Sequence, residues 1–445
     1  MLQDAEDAVR LVRGMLRRGE EGEAFRERRR VIAWSASEAG LLSASVTEES
    51  GTAVRIRRGR ERLLIARTGS SPEALRTALR EAARRLGSSP FLKPARSLAR
   101  PSRSSTAASS DDEALAGQLQ AVLVRAVGDP RGLALSLHVS KVEVERVVAT
   151  SRGVVACDLP ARIEAAGTIR RADGERLFSF QSTRSSLAAL ETMGLLLQEA
   201  LKPAAPASAP AGETDVVFSP TAAAVFWHEV VGHPMEAEGE ERGSVLSRVA
   251  RAAVAPASID VVDDPLRGDL PGAYLNDDEG MPAQRVPLLV AGAVGGPLTD
   301  RSAAGGRSNG HGRAPDFRRQ PRARMSNLVV APGNRREEEM VEACGSGLHV
   351  REISGGSADP ESGRFVLYVE RADLIRKGRI GAPVGRLVLT GDVLRALASI
   401  DGPPGDRVLP SHGLSICMKG GDAVPVGGAA PALLVRSLSA SPLRR

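Results

Sequence analysis

A chain of 445 residues is too long for one ordinary hydrophobic core, so two or three domains are expected. Its 60 basic and 54 acidic residues leave a net charge of +6, and the arginines are scattered among acids, which argues against a nucleic-acid-binding stripe. Three cysteines, Cys157, Cys344 and Cys417, are too few and too far apart for a disulfide framework, and no apolar run approaches the ~20 residues a membrane helix needs.

The chain opens without a basic n-region or an apolar h-region, so no secretory signal and a cytoplasmic location are expected. Residues 3–20 read as an amphipathic helix with Ala8, Val9, Leu11, Val12 and Leu16 on its apolar stripe. Strands are expected from Val31, at 53–57 and at 63–66. The densest basic spot, Arg26-Glu27-Arg28-Arg29-Arg30, falls beside the first of them. Ser71 and Pro72 then start a helix that reaches Leu86.

A linker rich in serine, alanine and arginine covers 93–111. After it come a helix over 112–127, strands at 134–139, 142–150, 154–157, 161–169 and 177–180, and a helix over 184–201. A second, proline-rich linker spans 202–212. Beyond it the chain is almost all short strands between Gly/Pro turns, with one short helix over 392–400, which predicts a curved antiparallel sheet or an open barrel. The fold class is therefore α+β. An N-terminal α/β region (1–92) and a central α+β region (112–201) precede a mostly antiparallel β domain (213–445).

That last domain opens on Ser219, an N-cap residue, and Pro220, suited to the first helical position. The apolar helix that follows carries His228, Glu229 and His233, in a chain with only six histidines. Burying such groups is costly unless something pairs with them, and a metal ion is the partner their chemistry points to. The spacing is H-E-x-x-x-H, where metalloprotease helices usually carry H-E-x-x-H. Five residues of ideal helix turn the second side chain about 140° from the first. The two converge only if the helix widens or ends, and Gly232 and Pro234 predict that it ends, with His233 on the turn that leaves it.

A catalytic zinc takes three protein ligands and keeps one open position. Two candidates for the third are Glu236, three residues past His233, and Cys417, where a strand meets the turn Lys419-Gly420-Gly421. Lys419 there favours a thiolate. Glu236 can equally orient a ligand through a hydrogen bond. The glycine-rich stretch 292–313 reads as an entrance lining or as an ordinary surface loop, and its His311 has no assigned role.

The segment from His228 to Glu236 resembles the H-E-x-x-G-H-x-x-E motif of the TldD/PmbA family of metallopeptidases. Asp277-Asp278-Glu279-Gly280 with Pro282, Gln284 and Arg285 is similar to the family's D-D-E-G-x-P-x-Q-R stretch. Arg324-Met325-Ser326-Asn327 is similar to its R-M-[ST]-N segment, and Gly355-Gly356 to its glycine-rich hairpin. Pro234 stands where a glycine is common, and Asp422 where a glutamine is common. The resemblance implies Zn²⁺ held by His228, His233 and Cys417, with Glu229 as general base. It implies a dimeric chamber, a homodimer or a heterodimer with a family paralogue, that hydrolyses small, unfolded or modified peptides. Inactive paralogues lack the histidine motif, so this chain resembles the active type. A catalytically inactive partner subunit and a dedicated peptide-maturation enzyme are the alternatives.

Overall fold

In the computed structural model, the described residues are 8, 9, 12–14, 16, 20–58, 61–86, 110–129, 131–150, 153–156, 161–172, 174–183, 186–202, 209–237, 243–302, 307–414 and 416–443. Cys157 and most of both expected linkers lie outside them. Of the helix expected over 3–20, the described Ala8, Val9 and Val12 are buried. Among the described residues no helix is long and apolar enough to cross a membrane.

The first half is one antiparallel sheet with helices on one face. Its strands are β1 (Glu20–Ser37), β2 (Gly40–Arg58), β3 (Glu61–Thr68), β4 (Leu133–Thr150), β5 (Gly153–Ala156), β6 (Arg162–Arg171) and β7 (Gly174–Ser182). They run in the order β3-β2-β1-β4-β6-β7, with β5 paired to β4, so one sheet passes through both stretches read as separate regions. Helix α1 (Pro72–Arg85) is capped as expected: the Ser71 hydroxyl accepts the Ala74 N–H. Its Leu75, Ala78, Leu79 and Ala82 form the i, i+3, i+4, i+7 stripe that packs on Val54, Ile56 and Ile65. Helices α2 (Ser110–Val127) and α3 (Ser186–Ala200) cover the other end, around Trp34, Leu137 and Ile169.

Two strand expectations are corrected. β1 begins at Glu20, so the basic cluster lies inside the strand, and 134–139 and 142–150 are one strand, β4. The charges are tolerated because opposite charges meet them across the sheet or from α2: Arg28 with Glu48, Arg30 with Asp112, and Glu27 with Arg146.

In the second half, β8 (Gly212–Phe218) leads into α4 (Pro220–Trp227), a π-helical turn (His228–Gly232) and α5 (His233–Met235). Six short strands follow: β9 (Val261–Asp263), β10 (Val286–Val290), β11 (Ala293–Val294), β12 (Gly312–Arg313), β13 (Arg322–Ala323) and β14 (Asn327–Val330). After α6 (Glu337–Cys344), a helix not expected from the sequence, come β15 (Ser346–Ala358), β16 (Arg364–Arg376), β17 (Arg379–Val384), β18 (Leu387–Asp392) and α7 (Val393–Ala398). The order ends with β19 (Leu409–Pro410), β20 (Ile416–Lys419), β21 (Asp422–Pro425), β22 (Gly427–Ala430) and β23 (Leu433–Pro442).

The expected open barrel is a closed one. Strand β15 pairs with β8 on one side and β16 on the other, so β15-β8-β23-β18-β16 form a ring. Register shifts between Val350 and Gly355 bend β15 enough to serve both neighbours. A second sheet, β11-β10-β9-β14-β22-β19, lies apart from the ring. Two pairings, β8 with β15 and β14 with β22, are parallel. The main core joins ring and second sheet around α4, whose Phe226 and Trp227 are fully buried with Phe218, Val230 and Leu328. Ser219 occupies the N-cap position, but its hydroxyl donates to the Arg351 carbonyl of β15 and accepts no helix N–H.

Candidate metal centre

The helix that carries the motif does not end at Pro234; it widens. His233 N–H donates to the His228 carbonyl five residues back, and His233 keeps helical angles, φ −59° and ψ −44°. The sequence-based placement of His233 on an exit turn is therefore corrected. Proline lacks an N–H, and its ring strikes the carbonyl four residues back in a regular helix. A π turn relieves both conflicts and brings the residue five positions on over the first. The two imidazoles meet with ring centroids 4.9 Å apart at 83°. Gly232 is required here, because a Cβ on it would stand 1.9 Å from Met325 Sδ.

Cys417 reaches the pair from β20, whose hairpin with β21 is tied down by Arg324. That buried guanidinium donates to the Cys417 carbonyl at 2.7 Å and the Asp422 carbonyl at 3.2 Å. Cys417 Sγ lies 3.6 Å from His233 Nε2, and one donor atom from each of His228, His233 and Cys417 falls within 4.8 Å of the others. Zinc bonds of about 2.1 Å to nitrogen and 2.3 Å to sulfur, set at a tetrahedral angle, separate N and S by about 3.6 Å. The donor set fits a zinc-like ion.

Glu236 stands behind this trio. One of its oxygens lies 3.2 Å from His233 Nδ1 and 2.7 Å from Lys419 Nζ; the other accepts the Met325 N–H at 3.0 Å. It orients His233 through the ring nitrogen that faces away from Cys417. Lys419, expected to favour the thiolate, is instead engaged by Glu236. Glu229 is buried beside the trio, with one oxygen 3.8 Å from His233 Nε2. Strand β15 can lie against it only because residue 356 is glycine: a Cβ there would meet Glu229 Cγ at 2.6 Å.

The electrostatics follow from burial and these neighbours. Burial pushes the Cys417 thiol up, yet His228 and His233 hold it well below its ordinary value. Burial also opposes the charge on Glu236, but His233, Lys419 and Arg324 keep it well below the usual carboxylate range. Burial lowers His233, and Glu236 with Cys417 more than reverses that. Glu229 is raised by burial, against the pull of both histidines. His228 Nδ1 and Glu229 Oε2 are buried without a hydrogen-bond partner. Those unmatched atoms mark a site that protein groups alone do not complete.

The remaining motif residues build the frame. Asp277 accepts backbone N–H groups of Glu279, Met281 and Gly312. Asp278 accepts from Ala314 N–H and from Arg146, which also pairs with Glu27 and so clamps the second half to the first sheet. Asn327 receives the Gly272 N–H. His311 lines no entrance. It is fully buried, with Nε2 3.0 Å from Asp263 and Nδ1 3.1 Å from the Asn309 carbonyl. The supporting roles of Arg324 and Met325 were not foreseen; their signal is the R-M-S-N run, whose function shows only once β20 and Glu236 are placed beside it.

Residues 211–441 match the family model of the PmbA/TldA metallopeptidase C-terminal domain. A metalloprotease TldD homologue of Buchnera aphidicola is 30% identical over 235 residues, covering 52% of this chain and 48% of that protein. A metalloprotease of Methanothermobacter thermautotrophicus is 32% identical over 232 residues, covering 51% and 50%. The chain thus spans about half the length of the curated relatives it matches. The crystal structure of TldE from Thermococcus kodakarensis superposes with a TM-score of 0.71 at 19% identity, covering 98% of this chain and all of that one, which shows a shared fold. The matched stretch holds His228, Glu229, His233 and Cys417 and makes up more than half of the chain, which therefore belongs to the PmbA/TldA metallopeptidase family.

Proposed function

We propose that this chain is a zinc-dependent peptidase that hydrolyses small, unfolded or modified peptides, with His228, His233 and Cys417 as metal ligands and Glu229 as general base. The observation that carries the reading is the meeting of two imidazoles and a thiol within 4.8 Å beside a buried, partner-poor carboxylate. Residues 213–445 are the catalytic unit in this reading. The active form is a cytoplasmic dimer, with a second copy or a family paralogue, that encloses the site in a chamber; family membership is what supports it.

A divalent ion there supplies Lewis acidity toward a peptide carbonyl and lowers the pKa of a water molecule to about 7. Glu229 takes the proton of the attacking water and returns it to the leaving amine. Burial raises its carboxyl toward the range in which it can do both. Glu236 accepts a hydrogen bond from His233 Nδ1–H, which fixes the tautomer and leaves Nε2, the nitrogen that faces Cys417, available to the ion. Arg324, Met325 and Lys419 around Glu236 hold that orientation.

Elemental analysis of the purified protein beside His228→Ala and Cys417→Ala tests the ligand set. About one zinc per chain, lost in both variants, is expected. Zinc lost with His228 but kept without Cys417 would move the third ligand elsewhere. No zinc in the wild type after reconstitution would leave the inactive-partner reading.

A further inference from the structure

A cavity of about 700 Å³ opens where the first sheet meets the barrel, within the range of pockets that hold small ligands. Phe178 of β7, Leu196 of α3, Ile353 of β15, the segment at His412 and the first turn of α4 at Thr221 line it. Three of these walls lead to the metal centre. Seven residues on from Thr221 the helix reaches His228, a rise of roughly 10 Å. Three residues on from Ile353, β15 lays Gly356 against Glu229, again roughly 10 Å. Five residues on from His412 comes Cys417.

The charged groups of the walls are already engaged. Arg351 lies 2.8 Å from Asp373, and Arg371 lies 3.4 Å from Glu199. His412 stacks on Phe180 with centroids 5.4 Å apart and places Nδ1 3.3 Å from the Gln181 carbonyl. What a ligand gains in this space is contact with Phe178, Ile353 and the exposed Leu196. An extended peptide advances about 3.3 Å per residue, so three residues span the distance from the metal centre.

We infer that this cavity receives a large apolar side chain of the peptide substrate, about three residues from the bond that is cleaved, and so sets sequence preference. The inference rests on the peptidase reading. It is tested with a library of acetylated hexapeptides, cleaved by zinc-loaded wild type, Leu196→Trp, which narrows the space beside Phe178 and Ile353, and Leu196→Glu, which charges it. Products are read by mass spectrometry, and each variant is checked for retained zinc and an unchanged melting transition. The wild type is expected to favour Phe or Leu over Ser three residues from the cut by roughly ten- to a hundredfold in kcat/KM, and both variants to lose that preference. No preference there in the wild type, or a preference that survives both variants, overturns the inference. Binding of a fluorescein-labelled Phe-containing hexapeptide and its Ser counterpart to Glu229→Gln separates the two readings. If the zinc-loaded wild type hydrolyses nothing but binding to Glu229→Gln still favours Phe and loses that bias on adding Leu196→Trp, the cavity stands and the peptidase falls. Equal binding of both peptides overturns the cavity.

Discussion

Two clusters of buried titratable groups sit side by side in this protein, served by adjacent backbone amides. Met325 N–H goes to Glu236 behind the metal centre, and Ser326 N–H goes to Asp263 beside His311. In the second cluster both His311 nitrogens have partners, and Asp263 also accepts the Ser326 hydroxyl. In the first, His228 Nδ1 and Glu229 Oε2 have no hydrogen-bond partner. Burial is nearly the same in both, so burial does not separate a structural histidine from a functional one. Satisfaction is what differs between these two: a buried polar atom left unmatched costs free energy, and at the first cluster the donor set fits a bound ion as the partner.

The comparison breaks if the unmatched cluster proves inert. Glu229→Gln keeps the shape and the ligands but removes the base. Peptide hydrolysis is therefore expected to fall by about a thousandfold while zinc content, measured by elemental analysis, stays at the wild-type level. Full turnover in that variant would sink the role. Asp263→Ala tests the satisfied cluster. Leaving His311 and Ser326 without their acceptor should cost about 3 kcal/mol in urea unfolding, with zinc stoichiometry unchanged. Loss of zinc at unchanged stability would mean the two clusters have been assigned the wrong way round.

Glu236→Gln addresses the boundary between them, since Glu236 is itself well paired yet holds His233, a member of the unmatched cluster. Losing the carboxylate charge should weaken zinc affinity about ten- to a hundredfold in competition with a chelator, and lower kcat less than Glu229→Gln does. Affinity equal to wild type would show that the π turn alone orients His233.

Much of this contrast was legible in the sequence. Polar residues set into an apolar helix announce a site, so His228, Glu229 and His233 stood out before any fold was known. Cys417 did not; its spacing left it level with Glu236, and only the family resemblance pointed to it. The π turn was misread because the rules for Gly232 and Pro234 describe how an α-helix stops, and a wider turn relieves the same clash without stopping. Strand β1 was placed too late because Arg26 to Arg30 look like a surface run until the acids of β2, β4 and α2 are laid beside them. The closed ring was hidden for a similar reason: β15 earns its second neighbour through register shifts that leave no compositional mark.

The smallest expected effect concerns the frame. Burial, with Asp278 adding to it, pushes Asp277 up to about 8, against three backbone N–H donors that favour its anion. The folded chain therefore keeps a proton that the unfolded chain releases near pH 4. Between those values the folded state binds more protons, so stability falls as pH rises through that window and levels off above about 8. The amide donors oppose that shift, so the sign of the slope, rather than its size, is the readout. Burial raises Glu27 and Glu279 in the same sense, so a residual slope remains when Asp277 is changed. Melting temperatures of the His228→Ala protein, which removes zinc loading from the comparison, should drop from pH 5 to pH 8, and less steeply with Asp277→Asn added. An identical slope in both proteins would assign the proton elsewhere. A rise across the window would show that the three amide donors win, and that Asp277, like Asp263, is a fully satisfied carboxylate.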